Sequence, residues 1–298
     1  YAGFMKKMGW EVEISQSRGL KNYIYIKKLP LVPFSVAKIL RCHLPENKEG
    51  LKRFLKQIHQ ADKKHRTLFI KLYPFLLKNQ KNPHYSLLIT HYSKDKSPLI
   101  PTKTIWINLK KTEKELLKEI KKKVRYSINF SKKRGVKTKI VSGDKITNKQ
   151  SNEFYKIWSK NKPHNWLFKP NFNELKYLVE SFGKKCFFVF ALTNHQPQTT
   201  NHPISGVLIL TSKNMAFDWF GANTLKGRKL LAKSLILWKA IKESKKRGLK
   251  IFDFEGIYDK RFPKLNKGWI GFSNFKKGFG GREIEFCQPL IKLLPDWA

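Results

Sequence analysis

The sequence predicts an α/β chain built as two domains, and three observations carry that expectation. Amphipathic helical stretches alternate with short apolar strands along 298 residues, a length suited to two ordinary domains or one large one. Hydrophobic residues make up 41% and aromatics 13%, enough to fill real cores and to exclude wholesale disorder. The stretch QIHQADKKHRTLFIKLYP at 57–74 is echoed by AIKESKKRGLKIFDFEGI at 240–257. Each copy reads as an amphipathic helix, a basic turn and an apolar strand, the signature of an internal duplication.

Residues 23–36, YIYIKKLPLVPFSV, read as strand material interrupted by prolines. A helix follows over about 48–64, with Leu51, Leu55, Ile58 and Ala61 on one stripe. TLFIKLYP at 67–74 is a strand stopped by proline; residues 78–103 are polar and lead into the strand TIWINL at 104–109. Thr112 stands three residues before Glu115, a capping-box spacing that starts a helix whose apolar side continues through Leu116, Ile120 and Val124. Gly135 stops it, and VKTKIV resumes as strand. SNEFYKIW (151–158) and FNELKYLVESF (172–182) read as helices; KCFFVFAL (185–192), SGVLILTS (205–212) and AFDWFGA (216–222) read as strands. The polar stretch TNHQPQTTNHP joins the first two of those strands. A basic loop with KGRK (226–229) precedes a helix striped by Leu231, Leu235, Trp238 and Ile241, and IFDFEGI (251–257) is a strand.

The charge balance narrows the partners. Lys and Arg number 62 against 21 acids, a net +41, which draws the chain to nucleic acid, anionic lipid headgroups or phosphorylated small molecules. Within 121–139 there are nine basic residues and no acid, interleaved with Tyr126 and Phe130, which reads as a polyanion-facing patch or a solvated helix end. Three widely spaced cysteines form neither a zinc signature nor an even disulfide framework, consistent with a reducing cytosol. There is no HExxH, and no run approaches 18 apolar residues, so no metal and no membrane span are expected, with peripheral membrane contact left open.

GFSNFKKGFGGREIEF at 271–286 places glycines beside lysines as a phosphate cradle does, yet it lacks the GxxxxGK[ST] spacing. Four blocks in order resemble the peptidoglycan bridge-forming aminoacyltransferases, the FemABX family. They are GFMKKMGWEVE, KELLKEIKKKVRYSINFSKKRGVK, GANTLKGRKLLAKSLILWKAIKESKKRGLKIFDFEGI and GFSNFKKGFGGREIEF. The resemblance implies two GCN5-related N-acetyltransferase-like domains in the compact form, without a helical-hairpin insertion. The expected boundaries are 1–110, completed by 284–298, and 111–283. It further implies transfer of an amino acid from aminoacyl-tRNA to the peptide amine of a UDP-linked or lipid-linked muropeptide. No cofactor is implied, and a cytoplasmic monomer that touches the membrane at most peripherally is expected.

The same resemblance assigns the site. Lys276 follows Phe275 at the family's phenylalanine–lysine position, near the ester and the tRNA terminus, with Phe275 a stacking or core residue. Asp253 matches the aspartate before the glycine and is read as an amine-orienting group or a structural anchor, with Glu255 secondary. Arg228 and Lys229 offer charge to the acceptor's diphosphate. Lys38 and Arg41 do so in the first domain, where the family's glycine-proline geometry is missing. Arg125, Tyr126, Lys132, Lys133 and Arg134 form the expected tRNA-facing stretch. The glycines of 278–281 are read as bends of a closing strand pair. Two alternatives stay open: an acyl-CoA-dependent N-acyltransferase on the same fold, although LKGRKLLAK is a degenerate pyrophosphate loop, and a noncatalytic basic RNA-binding protein.

Overall fold

Two sheets organise the chain, and each contains one parallel strand pair bridged by a helix. The computed structural model describes residues 1–17, 20–80, 82–160, 171–193 and 202–293. The chain divides into two units, Tyr1–Lys103 with Asp259–Leu265 and Ile284–Ala298, and Thr104–Tyr258 with Asn266–Glu283.

In the first unit, helix α1 (Ala2–Lys7) precedes the hairpin of β1 (Glu11–Ser17) and β2 (Leu20–Lys28). Strand β3 (Ser35–Cys42), helix α2 (Lys48–His65) and β4 (Thr67–Pro74) follow, then α3 (Pro83–His91) and β5 (Ser93–Lys94). The sheet order is β1-β2-β3-β4-β13-β5, where β13 is Leu290–Leu293. Strands β3 and β4 run parallel, which requires a crossover, and α2 is that crossover. Its N-cap is Asn47, whose side chain accepts from the Gly50 amide, and it buries Leu51, Phe54, Ile58 and Ala61 against the sheet. It ends at Arg66 in the left-handed region, φ 49°.

The second unit runs β6 (Lys103–Asn108), α4 (Glu113–Glu119), α5 (Lys122–Lys133), β7 (Val136–Ser142), α6 (Asn148–Lys160), α7 (Phe172–Phe182), β8 (Cys186–Thr193) and β9 (Ser205–Ser212). Then come β10 (Met215–Asn223), α8 (Leu225–Lys229), α9 (Ala232–Lys246), β11 (Ile251–Asp253), α10 (Pro263–Asn266), α11 (Ile270–Lys277) and β12 (Arg282–Glu285). The seven-stranded order is β12-β6-β11-β10-β9-β8-β7, with β10 and β11 parallel across α9. Thus the two echoed segments are both the helix and second strand of a parallel crossover. Helix α9 buries Leu235, Ile236, Leu237, Trp238 and Ile241 in a core with Phe187, Val207, Ile209 and Phe252.

Several elements depart from expectation. The helix starting at the Thr112–Glu115 capping box, which is present, does not run on through Val124. It breaks at Ile120, which is extended (ψ 129°), because the glycine-rich segment docks there: the Lys121 amide donates to the Gly278 carbonyl at 2.8 Å. Gly280 lies so close to Glu119 that a Cβ would sit 2.9 Å from its carbonyl oxygen, and its φ of +81° is itself left-handed. Residues 270–277, expected as one arm of a strand pair, are helix α11, stabilised by packing of Phe275 against Phe279 one turn on. The strand expected over 251–257 ends at Asp253, since Glu255 (φ 57°) and Gly256 (φ 109°) turn the backbone out of the sheet. KGRK is a single helical turn, α8, capped by Thr224. The polar stretch 78–103 contains α3, started by Asn82 as N-cap and Pro83 in its first turn. The linker 194–201, and residues 294–298 of the segment assigned to the first domain, lie outside the described residues.

One buried ion pair holds the edge of the first sheet. Lys71 on β4 contacts both oxygens of Asp95 at 3.0 and 3.1 Å and donates to the Ser97 carbonyl. The Tyr73 hydroxyl donates to Asp95 and accepts from the Leu99 amide. Asp95→Ala strands the buried ammonium and is expected to cost about 3–5 kcal/mol, read as a lowered urea midpoint. The pair Lys71→Met with Asp95→Leu is expected to lose less than the single change.

Candidate active site

Strands β10 and β11 are paired only from Met215↔Ile251 to Phe217↔Asp253. Beyond that point β10 continues to Asn223 with a bulge between Asp218 and Phe220, while the chain after Asp253 turns away. Parallel neighbours that part at their carboxyl ends leave room for a ligand in open α/β sheets. Asp218, Lys233, Asp253, Glu255 and Lys276 interact electrostatically at this parting.

Asp253 is buried and engaged on both oxygens. One accepts from the Thr104 hydroxyl and from the Glu255 amide at 2.8 Å; the other accepts from Trp106 Nε1 at 2.8 Å. The carboxylate therefore fixes the turn that follows it, with Glu255 held in a left-handed conformation that a non-glycine residue rarely adopts. That turn aims two carbonyls at one ammonium: Lys276 Nζ on α11 donates to Phe254 O at 2.6 Å and to Gly256 O at 2.8 Å. Burial lowers the Lys276 pKa, and the charges of Asp218, Glu255 and Asp253 oppose the shift.

Sequence reasoning missed two members of this cluster. Lys233, in the first turn of α9, lays its ammonium over Gly221, where a Cβ would lie 2.0 Å from Nζ. Its pKa is also lowered by burial, offset by Asp218 and reinforced by the positive charge of Lys276. Asp218, buried on β10, has an Oδ1 without a hydrogen-bond partner among the described residues. One carboxylate thus lies within electrostatic reach of two desolvated lysines. A signal was present: Lys233 is the one charge between Leu230 and Trp238 in LLAKSLILW, and Asp218 interrupts an apolar strand.

The remaining candidates separate. Phe275 packs at the edge of the core, its ring 5.4 Å from Phe279. Lys277 pairs with Glu283 at 2.7 Å. Arg228 and Lys229 are exposed on α8, a turn that needs Gly227 because a Cβ there would meet Ile204 O at 2.2 Å. Arg125 donates to the carbonyls of Ile120 and Lys118, closing the end of α4. Tyr126 is exposed and stacks on Phe130, and Arg134 lies 5.2 Å from that ring. With Lys132 and Lys133 exposed beside them, α5 presents a basic face carrying aromatic rings. In the first unit, Lys38 sits 3.9 Å over the Trp10 ring, and burial depresses its pKa to about 8. Arg41 donates to Pro101 O at 2.8 Å and lies 3.8 Å from the Phe286 ring, so its guanidinium is tied into the fold. No group of three or more metal-binding side chains occurs among the described residues, and none of their helices is long and apolar enough to cross a membrane.

Residues 173–287 match the model of the FemAB family. No curated protein matches the chain. Among solved structures, FemX superposes with a TM-score of 0.81 at 14% identity, covering 99% of this chain and 90% of FemX. The C-terminal domain of a putative lysylphosphatidylglycerol synthetase from Agrobacterium fabrum gives 0.63 at 13% identity, covering 97% and 85%. A tandem GNAT protein from the clavulanic acid biosynthesis pathway gives 0.57 at 8% identity, covering 93% and 81%. The fold is therefore shared with FemX and with a tandem GNAT protein, two GNAT-like domains, and Lys233, Asp218, Asp253 and Lys276 all lie within the residues that match the FemAB family model.

Proposed function

We propose that the protein transfers an aminoacyl group from aminoacyl-tRNA to a peptide amine of a peptidoglycan precursor. The observation that carries this reading is the coincidence of the FemAB match with the Lys276 cluster. In this reaction the amine attacks the ester carbonyl carbon, a C–N bond forms and negative charge grows on the carbonyl oxygen. The C–O bond to the terminal ribose then breaks; the amine loses one proton and the ribose hydroxyl gains one. The ester is already activated, so positioning and oxyanion stabilisation are what the protein supplies. An ammonium has three donors. Two of those on Lys276 are fixed by Phe254 and Gly256, and the third is directed to the developing oxyanion. Asp218 keeps Lys276 charged against the desolvation that makes it effective. Asp253 acts as a positioning residue through the turn. The α5 face with Tyr126, Lys132, Lys133 and Arg134 receives the tRNA, while Arg228 and Lys229 offer cations to the acceptor's diphosphate.

The likeness to a putative lysylphosphatidylglycerol synthetase domain favours one second reading, transfer to a lipid headgroup. Charged tRNA is incubated with UDP-linked muropeptide, lipid-linked muropeptide or phosphatidylglycerol, and the mass gain of each acceptor is read. Gain on a muropeptide is expected; gain on phosphatidylglycerol alone selects the second reading. Transfer that requires acyl-CoA and ignores charged tRNA refutes both.

Lys276→Ala is expected to lower kcat by about 10²–10³ with the thermal midpoint retained; full turnover in that variant removes Lys276 from the chemistry. The pH dependence follows from the same ammonium. Its depressed pKa means that activity is lost as pH rises at values below the ordinary lysine range. Lys233→Met removes a neighbouring positive charge, raises the Lys276 pKa and moves that alkaline limb upward. A limb that stays in place in Lys233→Met shows that the two lysines do not share one field.

A further inference from the structure

We propose that the turn between β2 and β3, residues 29–34, is a docking tip that inserts Leu31 and Val32 into an anionic lipid bilayer. The turn is closed by the Leu29 amide donating to the Phe34 carbonyl at 2.9 Å. Pro30 fixes the first corner, and Leu31 follows with φ 67°. A proline followed by positive φ is the type II arrangement, whose second corner ordinarily takes glycine or asparagine. Here it is occupied by leucine, a residue strained in the left-handed region, and that leucine is fully exposed. Val32 is also exposed, and Pro33 restrains it. A strained backbone and an apolar side chain in water are two unfavourable terms at one position. No contact among the described residues covers the Leu31 side chain, whereas an apolar phase against the tip would.

The surroundings favour a lipid surface over a protein groove. Lys27 and Lys28 end β2, and Lys63, Lys64 and Arg66 lie at the end of α2, which is tied to the stem by Ser35 donating to the His65 carbonyl. Glu11 and Glu13, the acids nearby, are already paired with Lys28 and with Lys64 and His65. An apolar tip on a stem whose flanking segments carry five lysine and arginine residues against two paired glutamates matches the two signals that bind a protein stably to anionic membrane. The chain needs no membrane-spanning helix for this, and the proposal does not rest on the transfer reaction.

The test uses cosedimentation of the whole chain with vesicles of phosphatidylglycerol or of phosphatidylcholine, at low and high salt. Binding to the anionic vesicles is expected, weaker in high salt. Leu31→Gly should reduce that binding about tenfold while the thermal midpoint holds, because glycine adopts the turn without strain. Adding Val32→Ser should reduce it further. Transfer to a water-soluble UDP-linked acceptor should be unchanged in both variants, which separates loss of docking from loss of chemistry. Equal vesicle binding by Leu31→Gly overturns the proposal in favour of charge alone. Self-association without lipid that Leu31→Gly abolishes overturns it in favour of a second copy as the occupant.

Discussion

The site depends on one buried carboxylate. Asp253 takes hydrogen bonds from the Thr104 hydroxyl, the Trp106 indole and the Glu255 amide, so both of its oxygens are engaged inside the unit. What it achieves is mechanical. By holding the Glu255 amide it forces the backbone through two successive positive-φ residues, and the turned carbonyls of Phe254 and Gly256 converge on Lys276. An aspartate at this place in an acyltransferase-like sequence invites a reading as general base. With both oxygens occupied, what the structure shows for Asp253 is the geometry of the turn that follows it.

Two lysines removed from water stand beside this turn. Removing two ammonium groups from water is unfavourable, burial lowers the pKa of each, and the positive charge of Lys276 adds to the lowering at Lys233. The arrangement persists because the rigid elements beneath it leave little choice. Lys233 leaves α9 from within a run of buried residues, and Gly221 yields the space a side chain would fill. In a medium of low effective dielectric such a cation acts on a nearby oxyanion far more strongly than a hydrated surface lysine does.

Much of the fold was legible because local signals agreed with it. The Thr112–Glu115 box, the α2 stripe, the Gly135 stop and the echoed helix–turn–strand are all present. The departures have two causes: local caps and ring pairs went unread at α3, α8 and α11, and contacts distant in sequence overrode local pattern at the end of α4. The break at Ile120 exists because Gly278 and Gly280 press against the end of α4, which no window around residue 120 contains. Lys276 was recognisable by resemblance, yet its place on a helix and its two carbonyl partners were not. Lys233 was passed over because lysine on a helix reads as solvated, and only the burial of its neighbours on every side shows otherwise.

The net charge of +41 and the site therefore belong to different levels of the molecule. Surface lysines act over about a Debye length, near 10 Å in moderate salt, and their effect on any polyanion is collective and easily screened. Such charges raise encounter rates with polyanions in general and carry little chemical discrimination. The two site lysines are few, fixed and desolvated, so salt affects them weakly and a single substitution affects them strongly. A chain drifting toward lysine everywhere on its surface can change its long-range attraction without disturbing the cluster at Asp218. The residues that hold the cluster still are another matter. A Cβ at Gly221 would lie 2.0 Å from the Lys233 ammonium, and a Cβ at Gly280 2.9 Å from the Glu119 carbonyl oxygen. Loss of the Asp253 carboxylate would free the turn.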